Sequence, residues 1–468
     1  MLSLDEWLLR VGFSGGNPFA LRWADDERDR LQEYFVEHGA YHALLDAGQP
    51  RSAVLYARRG AGKSTTRLMF AAACAAAPAP PLVVQLTDWM PLAEAAAAGP
   101  LGPRELLCEL LRLYVAALAD AAPPPAAVIP AEAAAPLRWV CQQHGDYLLP
   151  GQRAALAAAG WLGGAPEPHG LDGLPVLRAL ELLARLTRAV GRPHCYVLVD
   201  GVDELCATAA SWEAAAAMLA PLLGNIRLLE VPGLAFKCFV PTEVLLVLRE
   251  RGQLREDRVV CAELTWERGP LADLLRGRLL AYSDGQVESL AMCAEPDAGD
   301  VDDALCRAAD SPRRLLALAD ELIRAAAREA SDERLLIRGA QLARLLTPAP
   351  AAQPAPPAPA APPPAALAPL RLAADGTLWR GEAQIEAARR LSPLQRRLLE
   401  YLYEHSGTIC STDQLIDVTW SDRERPNDRD SLRRLVERLV EIIEPDPKAP
   451  AYLERIYGGY YVLRNTAR

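Results

Sequence analysis

The stretch from Thr347 to Pro369, TPAPAAQPAPPAPAAPPPAALAP, sets the first limit on what this chain can become. Proline lacks an amide hydrogen and fixes φ, and alanine brings little bulk. Such a tract builds no core and favours an extended, semi-rigid spacer. The chain therefore reads as a large module before 347 and a small one over 370–468, the latter the size of a single domain.

The large module alternates short apolar runs with helical patterns. SAVLYA (52–57), PLVVQL (81–86), CYVLVD (195–200) and LAFKCFV (234–240) read as buried strands, with helical stretches such as ELLCELLRLYVAAL between them. That alternation predicts an α/β domain over 51–270 with a parallel sheet covered by helices. A helical segment over 1–50 leads into it. The long interval between the second and third strands reads as a helical insertion over about 91–174. From 271 to 346 the pattern is wholly helical, which suggests a lid packed on the sheet domain.

Hydrophobic content of 51% with 24% charge is that of a globular protein, and the net charge of −10 argues against nonspecific coating of nucleic acid. The ten cysteines are scattered with no CxxC pair, and MLSLDEWLLR has neither a basic start nor an apolar core like a secretory signal. Both features suggest reduced thiols and a cytoplasmic location. Cys141 and His144 could ligate a metal, but no second pair completes a site, so they are read as structural. The run Leu68–Leu86 is long enough for a membrane span. Three prolines interrupt it, which favours a helix, a turn and a strand, with no membrane partner expected.

SAVLYARRGAGKSTTRLMF is a strand, a glycine-rich turn and a helix. Glycines let backbone N–H groups approach phosphate oxygens, and the helix N-terminus favours an anion. Ala57, Gly60, Ala61, Gly62, Lys63, Ser64 and Thr65 form the expected phosphate loop, in which Ala57 stands where the first glycine of GxxxxGK[ST] usually lies. Lys63 should reach the β- and γ-phosphates of ATP, and the Ser64 hydroxyl should ligate Mg²⁺. The strand CYVLVD ends in Asp200, placed to hold Mg²⁺ through water. Asp203 and Glu204 follow as candidate bases for an attacking water.

GAGKST combined with VLVDGVDEL resembles the STAND class of signalling ATPases, in particular its NACHT-like branch among the AAA+ relatives. The resemblance implies ATP and ADP as ligands, slow hydrolysis used as a switch with Asp203, slightly preferred over Glu204, as the base, and a nucleotide-dependent homo-oligomer or protein partner. ADSPRRLLALADELI is similar to the GxP-type motif of such lids, which implies that Pro312 and Arg313 contact the nucleotide, although Asp310 replaces a common glycine. The same residues also read as a helix start, with Ser311 as cap and Pro312 in the first turn. The resemblance makes LAFKCFVPTE the sensor strand. It offers Arg249, Arg251, Arg255 and Arg258 as arginine fingers, against the alternative of a solvated charged face, and places Asn17, Pro18 and Phe19 near the adenine.

Beyond the spacer, short strands with a turn at Asp375–Gly376 precede two helices, a long helix and a hairpin. Leu391, Ser392, Leu394, Leu415, Ile416, Trp420, Asp446, Pro447, Pro450, Tyr452, Gly458 and Tyr461 resemble the OmpR/PhoB-type winged helix, a small α+β domain. In that family the third helix enters the major groove of double-stranded DNA. Here it carries Arg433, Arg434 and Arg438 as candidate DNA contacts, but also Glu437 and Glu441, and the module from 368 on holds 16 basic and 16 acidic residues. Two functions follow. One is an ATP-controlled transcription regulator, and the other a signalling or defence ATPase whose winged helix binds protein.

Overall fold

The computed structural model describes residues 2–21, 24–46, 48–163, 173–205, 208, 211–331, 335–347, 368–373, 377–381, 383–385, 391–406, 410–420, 429–445, 451–456 and 460–464. The chain divides into two compact units, Met1–Ala349 and Pro350–Arg468. Most of the Pro/Ala tract, the turn at Asp375–Gly376, and Asp446, Pro447, Pro450 and Gly458 lie outside the described residues.

In the first unit, β1 (Ala53–Ala57), β2 (Leu82–Leu86), β3 (Cys195–Val199), β4 (Leu234–Pro241) and β5 (Val260–Glu263) form one sheet in the order β2-β3-β4-β1-β5. Every pairing in it is parallel. Its two faces follow the two-residue strand period. Val54, Val197, Val199, Phe236 and Cys238 join one core cluster, while Leu55, Tyr196, Leu198, Ala235 and Phe239 join another with Phe70 of the helix Lys63–Ala76. Burial on both sides explains why four strands are legible as continuous apolar runs. β5 is a half-exposed edge strand, so its sequence VCAE carries no such signal.

The insertion packs onto the sheet. Its helices Met90–Ala98, Pro103–Asp120, Ala131–Gln143 and Pro150–Ala158 share one core with the sheet, through Leu92, Leu110, Tyr114, Leu137 and Leu156. The length of this segment is spent on covering a sheet face. Among the described residues no helix is long and apolar enough to cross a membrane, and Leu68–Leu86 divides between the helix Lys63–Ala76 and β2.

The helices Arg268–Tyr282, Val301–Ala308, Pro312–Glu329 and Gly339–Leu346 form the lid, with a core of its own. The N-terminal segment is divided between the two cores: Trp7, Leu8, Phe13, Phe19, Leu31 and Tyr34 pack into the lid, and Tyr41 and Leu44 against the sheet. A buried ion pair fastens the first part. Arg278 donates from Nε to the Pro18 carbonyl at 2.8 Å and from Nη1 to Glu27 Oε2 at 2.9 Å, and the Tyr282 hydroxyl donates to Glu27 Oε1 at 3.1 Å. The second part is fastened by Lys237 of β4, fully buried, which donates to the Leu44 carbonyl at 2.7 Å and to Asp46 Oδ2 at 2.9 Å.

The second unit holds an antiparallel sheet of β6 (Leu370–Leu372), β7 (Leu378–Arg380) and β8 (Ala383–Gln384). The helices Pro393–Glu404, Thr412–Thr419 and Arg429–Ile443 follow. A hairpin of β10 (Leu453–Ile456) and β11 (Tyr460–Leu463) pairs with β9 (Cys410–Ser411). Leu398, Leu402, Leu415, Leu432, Val436, Leu439 and Ile443 fill the centre.

Glu444 pins the hairpin to the third helix. Its buried carboxylate accepts from the amides of Ala451 at 2.7 Å, Tyr452 at 2.9 Å and Leu453 at 2.7 Å. Replacing Glu444 with Ala strands three backbone donors, so denaturant unfolding of the second unit should show a loss of about 1–3 kcal/mol.

Candidate functional site

The phosphate loop leaves β1 after Ala57 and enters the helix at Lys63. Gly60 and Gly62 have φ of 83° and 96°, a region that side chains disfavour. At Gly60 a second constraint acts, because a Cβ there would lie 2.9 Å from Arg313 Cβ at the start of the lid helix Pro312–Glu329. The lid also grips the outside of the loop. The Arg313 amide donates to the Gly60 carbonyl at 3.3 Å, and the Trp266 indole donates to the Ala61 carbonyl at 2.7 Å. Arg313 thus lies against the loop, and Ser311 caps the helix, its side chain accepting from the Arg314 amide.

Lys63 is buried, and its ammonium donates to the carbonyls of Ala57 at 3.2 Å and Arg58 at 3.3 Å. Burial lowers its pKa, opposed by the charges of Asp203, Asp200, Glu204 and Glu243. Ser64 and Thr65 follow in the first helical turn, both half-buried. Behind the loop, His38 Nε2 lies 3.1 Å from the Thr66 hydroxyl while its Nδ1 accepts from the Tyr41 amide; burial lowers its pKa to about 4, so the ring is neutral.

The three acids after β3 have distinct surroundings. Asp200 is buried and doubly held: Oδ1 accepts from the Gly201 amide at 2.9 Å and Oδ2 from Arg67 Nε at 3.1 Å. The Trp89 indole, at the root of the insertion, donates to the Asp200 carbonyl at 2.7 Å. Asp203 is engaged by Arg59 of the loop, from Nε to Oδ2 at 2.7 Å and from Nη2 to the carbonyl at 2.7 Å. The same guanidinium lies over the Trp212 ring. Glu204 is the acid without such a partner. Its Oε2 is buried and lacks a hydrogen bond among the described residues, and burial, with Asp200 and Asp203 adding, pushes its pKa up to about 9. Glu243 resembles it, with a buried, unbonded Oε2 in the first turn after β4. Pro241 pairs with Ala57 across the sheet, so this turn lies beside the start of the phosphate loop.

The glycine cradle and the buried Lys63 fit a polyphosphate. Ser64 and Asp200 offer the oxygen donors that suit Mg²⁺. Among the described residues no group of three or more His, Cys, Asp or Glu side chains is placed to hold a metal. A cation here would therefore take its remaining ligands from phosphate and water.

Other expected contributors are placed less directly. Phe19 is fully buried in the lid core, and Asn17 donates to Asp320 at 2.8 Å. Arg249, Arg255 and Arg258 pair with Glu256, Asp257 and Glu230 on the surface, as the charged-face alternative expects. Cys141 is buried, which pushes its thiol up to about 12. Sequence reasoning did not single out Arg59, Arg67, Trp266 or Glu243. For Arg67 a signal existed, since it lies one helical turn after Lys63 and so shares its face.

In the second unit, Arg434 and Arg438 are exposed on the third helix, and Arg433 is half-buried with Nε 3.5 Å from Glu437. Glu437 and Glu441 are exposed on the same helix, and Val440 is half-buried against the core.

Residues 386–463 match the family model described as transcriptional regulatory protein, C terminal. Regulatory protein VanRc of Enterococcus gallinarum is 26% identical over 73 residues, which are 16% of this chain and 31% of that protein. Among solved structures, the Aeropyrum pernix ORC2 protein, described as ADPNP-ADP complexes, shares 13% identity at a TM-score of 0.32 over 98% of this chain and 94% of that one. The CDC6P structure from Pyrobaculum aerophilum shares 11% identity at a TM-score of 0.32 over 96% and 93%. The chain joins a unit built on a five-stranded parallel sheet, with a glycine-rich loop after its first strand, to a second unit that matches the C-terminal domain model of transcriptional regulatory proteins.

Proposed function

We propose that the first unit binds ATP with Mg²⁺, hydrolyses it slowly, and acts as a STAND-like switch on the second unit, a DNA-binding output that makes the chain a transcription regulator. The observation that carries this reading is the gathering of Lys63, Asp200 and Glu204 beside a glycine loop whose outer carbonyls are held by the lid. A lid bonded to the loop can respond to what the loop holds, which is what a switch requires.

In this reading the loop amides and Lys63 bind the phosphates, and Ser64 and Asp200 hold Mg²⁺, which when bound would neutralise phosphate charge. Glu204 is better suited than Asp203 to take a proton from the attacking water. Its oxygen is unengaged, whereas Asp203 is committed to Arg59, and a cation held at Asp200 would favour the charged form of Glu204 that can accept the proton. Arg59 then ties the loop to the acidic turn. Arg313 and Pro312 bring the lid to the phosphates.

Arg434 and Arg438 are the groups best placed for DNA phosphates or guanine edges. Selection from random DNA, with ATP and with ADP, tests this output. A motif should emerge whose affinity differs between the two nucleotides. Replacing both arginines with Ala should lower that affinity and reduce the slope of log K against log salt by about 2. The exposed Glu437 and Glu441 favour the second reading, a protein-binding winged helix. Failure to enrich any motif in either nucleotide state, together with nucleotide-dependent capture of a protein, decides for it.

A further inference from the structure

Arg67 and the short turn Ala24–Glu27 have no part in the chemistry above, yet they are wired into both sides of the site. Arg67 is only 2% exposed, and its guanidinium serves three segments. It donates from Nε to Asp200 at 3.1 Å, from Nη1 to Gln85 of β2, and from Nη2 to both oxygens of Asp25 at 3.4 Å. Asp25 belongs to the turn Ala24–Glu27, and two residues on, Glu27 makes the buried pair with Arg278 of the lid helix Arg268–Tyr282. The charge of Asp25 also reaches Glu204, whose pKa it helps to raise.

We infer that Arg67 and Asp25 are positioning residues for Asp200, and that the turn Ala24–Glu27 couples this carboxylate to the lid through the ion pairs Asp200–Arg67–Asp25 and Glu27–Arg278. The inference rests on the nucleotide-binding reading and deepens it. A buried guanidinium has little freedom to relax into water, so what changes the demand on Asp200 changes its hold on Asp25. Asp25 and Glu27 sit on one tight turn, so a shift of one carboxylate moves the other. On the lid side the turn is held by a pair whose members are 2% and 4% exposed, which makes that end rigid. Mg²⁺ with nucleotide acts at Asp200, and the lid responds at Arg278. Because coupling is reciprocal, the N-terminal turn also tunes how much Mg²⁺ strengthens nucleotide binding.

The test uses the full chain and two variants, Asp25→Asn and Arg67→Lys. Asp25 is 29% exposed, and Asn keeps its shape without the charge. Lysine at 67 keeps a cation but cannot span two carboxylates. The affinity for a fluorescent ATP analogue is measured with Mg²⁺ and with chelator, and amide exchange of residues 268–282 is followed in the same states. In the wild type, Mg²⁺ with the analogue should slow that exchange by about fivefold or more. In both variants the affinity in chelator should match the wild type, while the gain from Mg²⁺ and the lid protection both fall by about fivefold. A wild-type gain and wild-type protection in Asp25→Asn overturn the coupling and leave the nucleotide reading standing. Absence of analogue binding to the wild type overturns that reading, and the coupling with it.

Discussion

Replacing Lys63 with Ala should weaken binding of Mg²⁺ with ATP by about 100-fold, the worth of a charge-assisted contact to phosphate at a buried site. The ligand-free protein should barely notice. Lys63 is desolvated and, among the described residues, held by two loop carbonyls, and its lowered pKa means that the charged amine costs the fold something. Thermal unfolding separates the two effects. Wild type at nucleotide a hundredfold above its Kd should gain about 2.7 kcal/mol, a rise of a few degrees in Tm, and Lys63→Ala should lose nearly all of it at the same concentration. Equal nucleotide-induced shifts in both proteins would remove Lys63 from the site.

Replacing Glu204 with Gln should leave nucleotide affinity near wild type and slow hydrolysis by about 10²–10⁴-fold, the usual contribution of a positioned base. Asp203→Asn should cost less turnover and more loop order, because Asp203 is the anchor for Arg59. A stronger loss in Asp203→Asn than in Glu204→Gln reverses these roles. Glu204 also predicts a stability profile. Its pKa is raised in the folded state to about 9, above the ordinary 4.5 of the unfolded chain. Below pH 4.5 both states carry the proton. Between 4.5 and about 9 only the folded state keeps it, so stability falls as pH rises, by at most about 1.4 kcal/mol per unit. Glu204→Gln should flatten that decline in nucleotide-free protein, which chemical unfolding at several pH values would measure.

Four of the five strands, the glycine-rich loop, the capped helix Pro312–Glu329 and the winged-helix core were legible because each is a local pattern. Residues of one face recur at the strand or helix period, and the glycine turn needs its own residues in immediate succession. Distant pairings leave no such trace. Nothing near Asp203 announces Arg59, and nothing near Asp200 announces Arg67, since these partners meet only when β3 lies beside the loop helix. The resemblance slightly favours Asp203 as the base, and the proposal of Glu204 instead rests on that difference. In sequence both are acids after a strand, and in the fold one is paired while the other is buried with an unbonded oxygen.

The division of the first fifty residues shows the same limit. Their helical pattern does not say which core they join, because apolar periodicity reports that a face is buried and not against what. The fold gives Trp7 and Phe19 to the lid and Tyr41 and Leu44 to the sheet. The sequence by itself determined the two modules, the glycine-rich turn between the first strand and its helix, and the type of the second domain, because proline content, glycine spacing and hydrophobic period act between neighbouring residues. The tertiary structure decided which carboxylate stays unpaired, how the lid holds the loop, and that the N-terminal turn touches both. Those outcomes depend on charges brought together across the sheet, where burial makes every missing partner expensive.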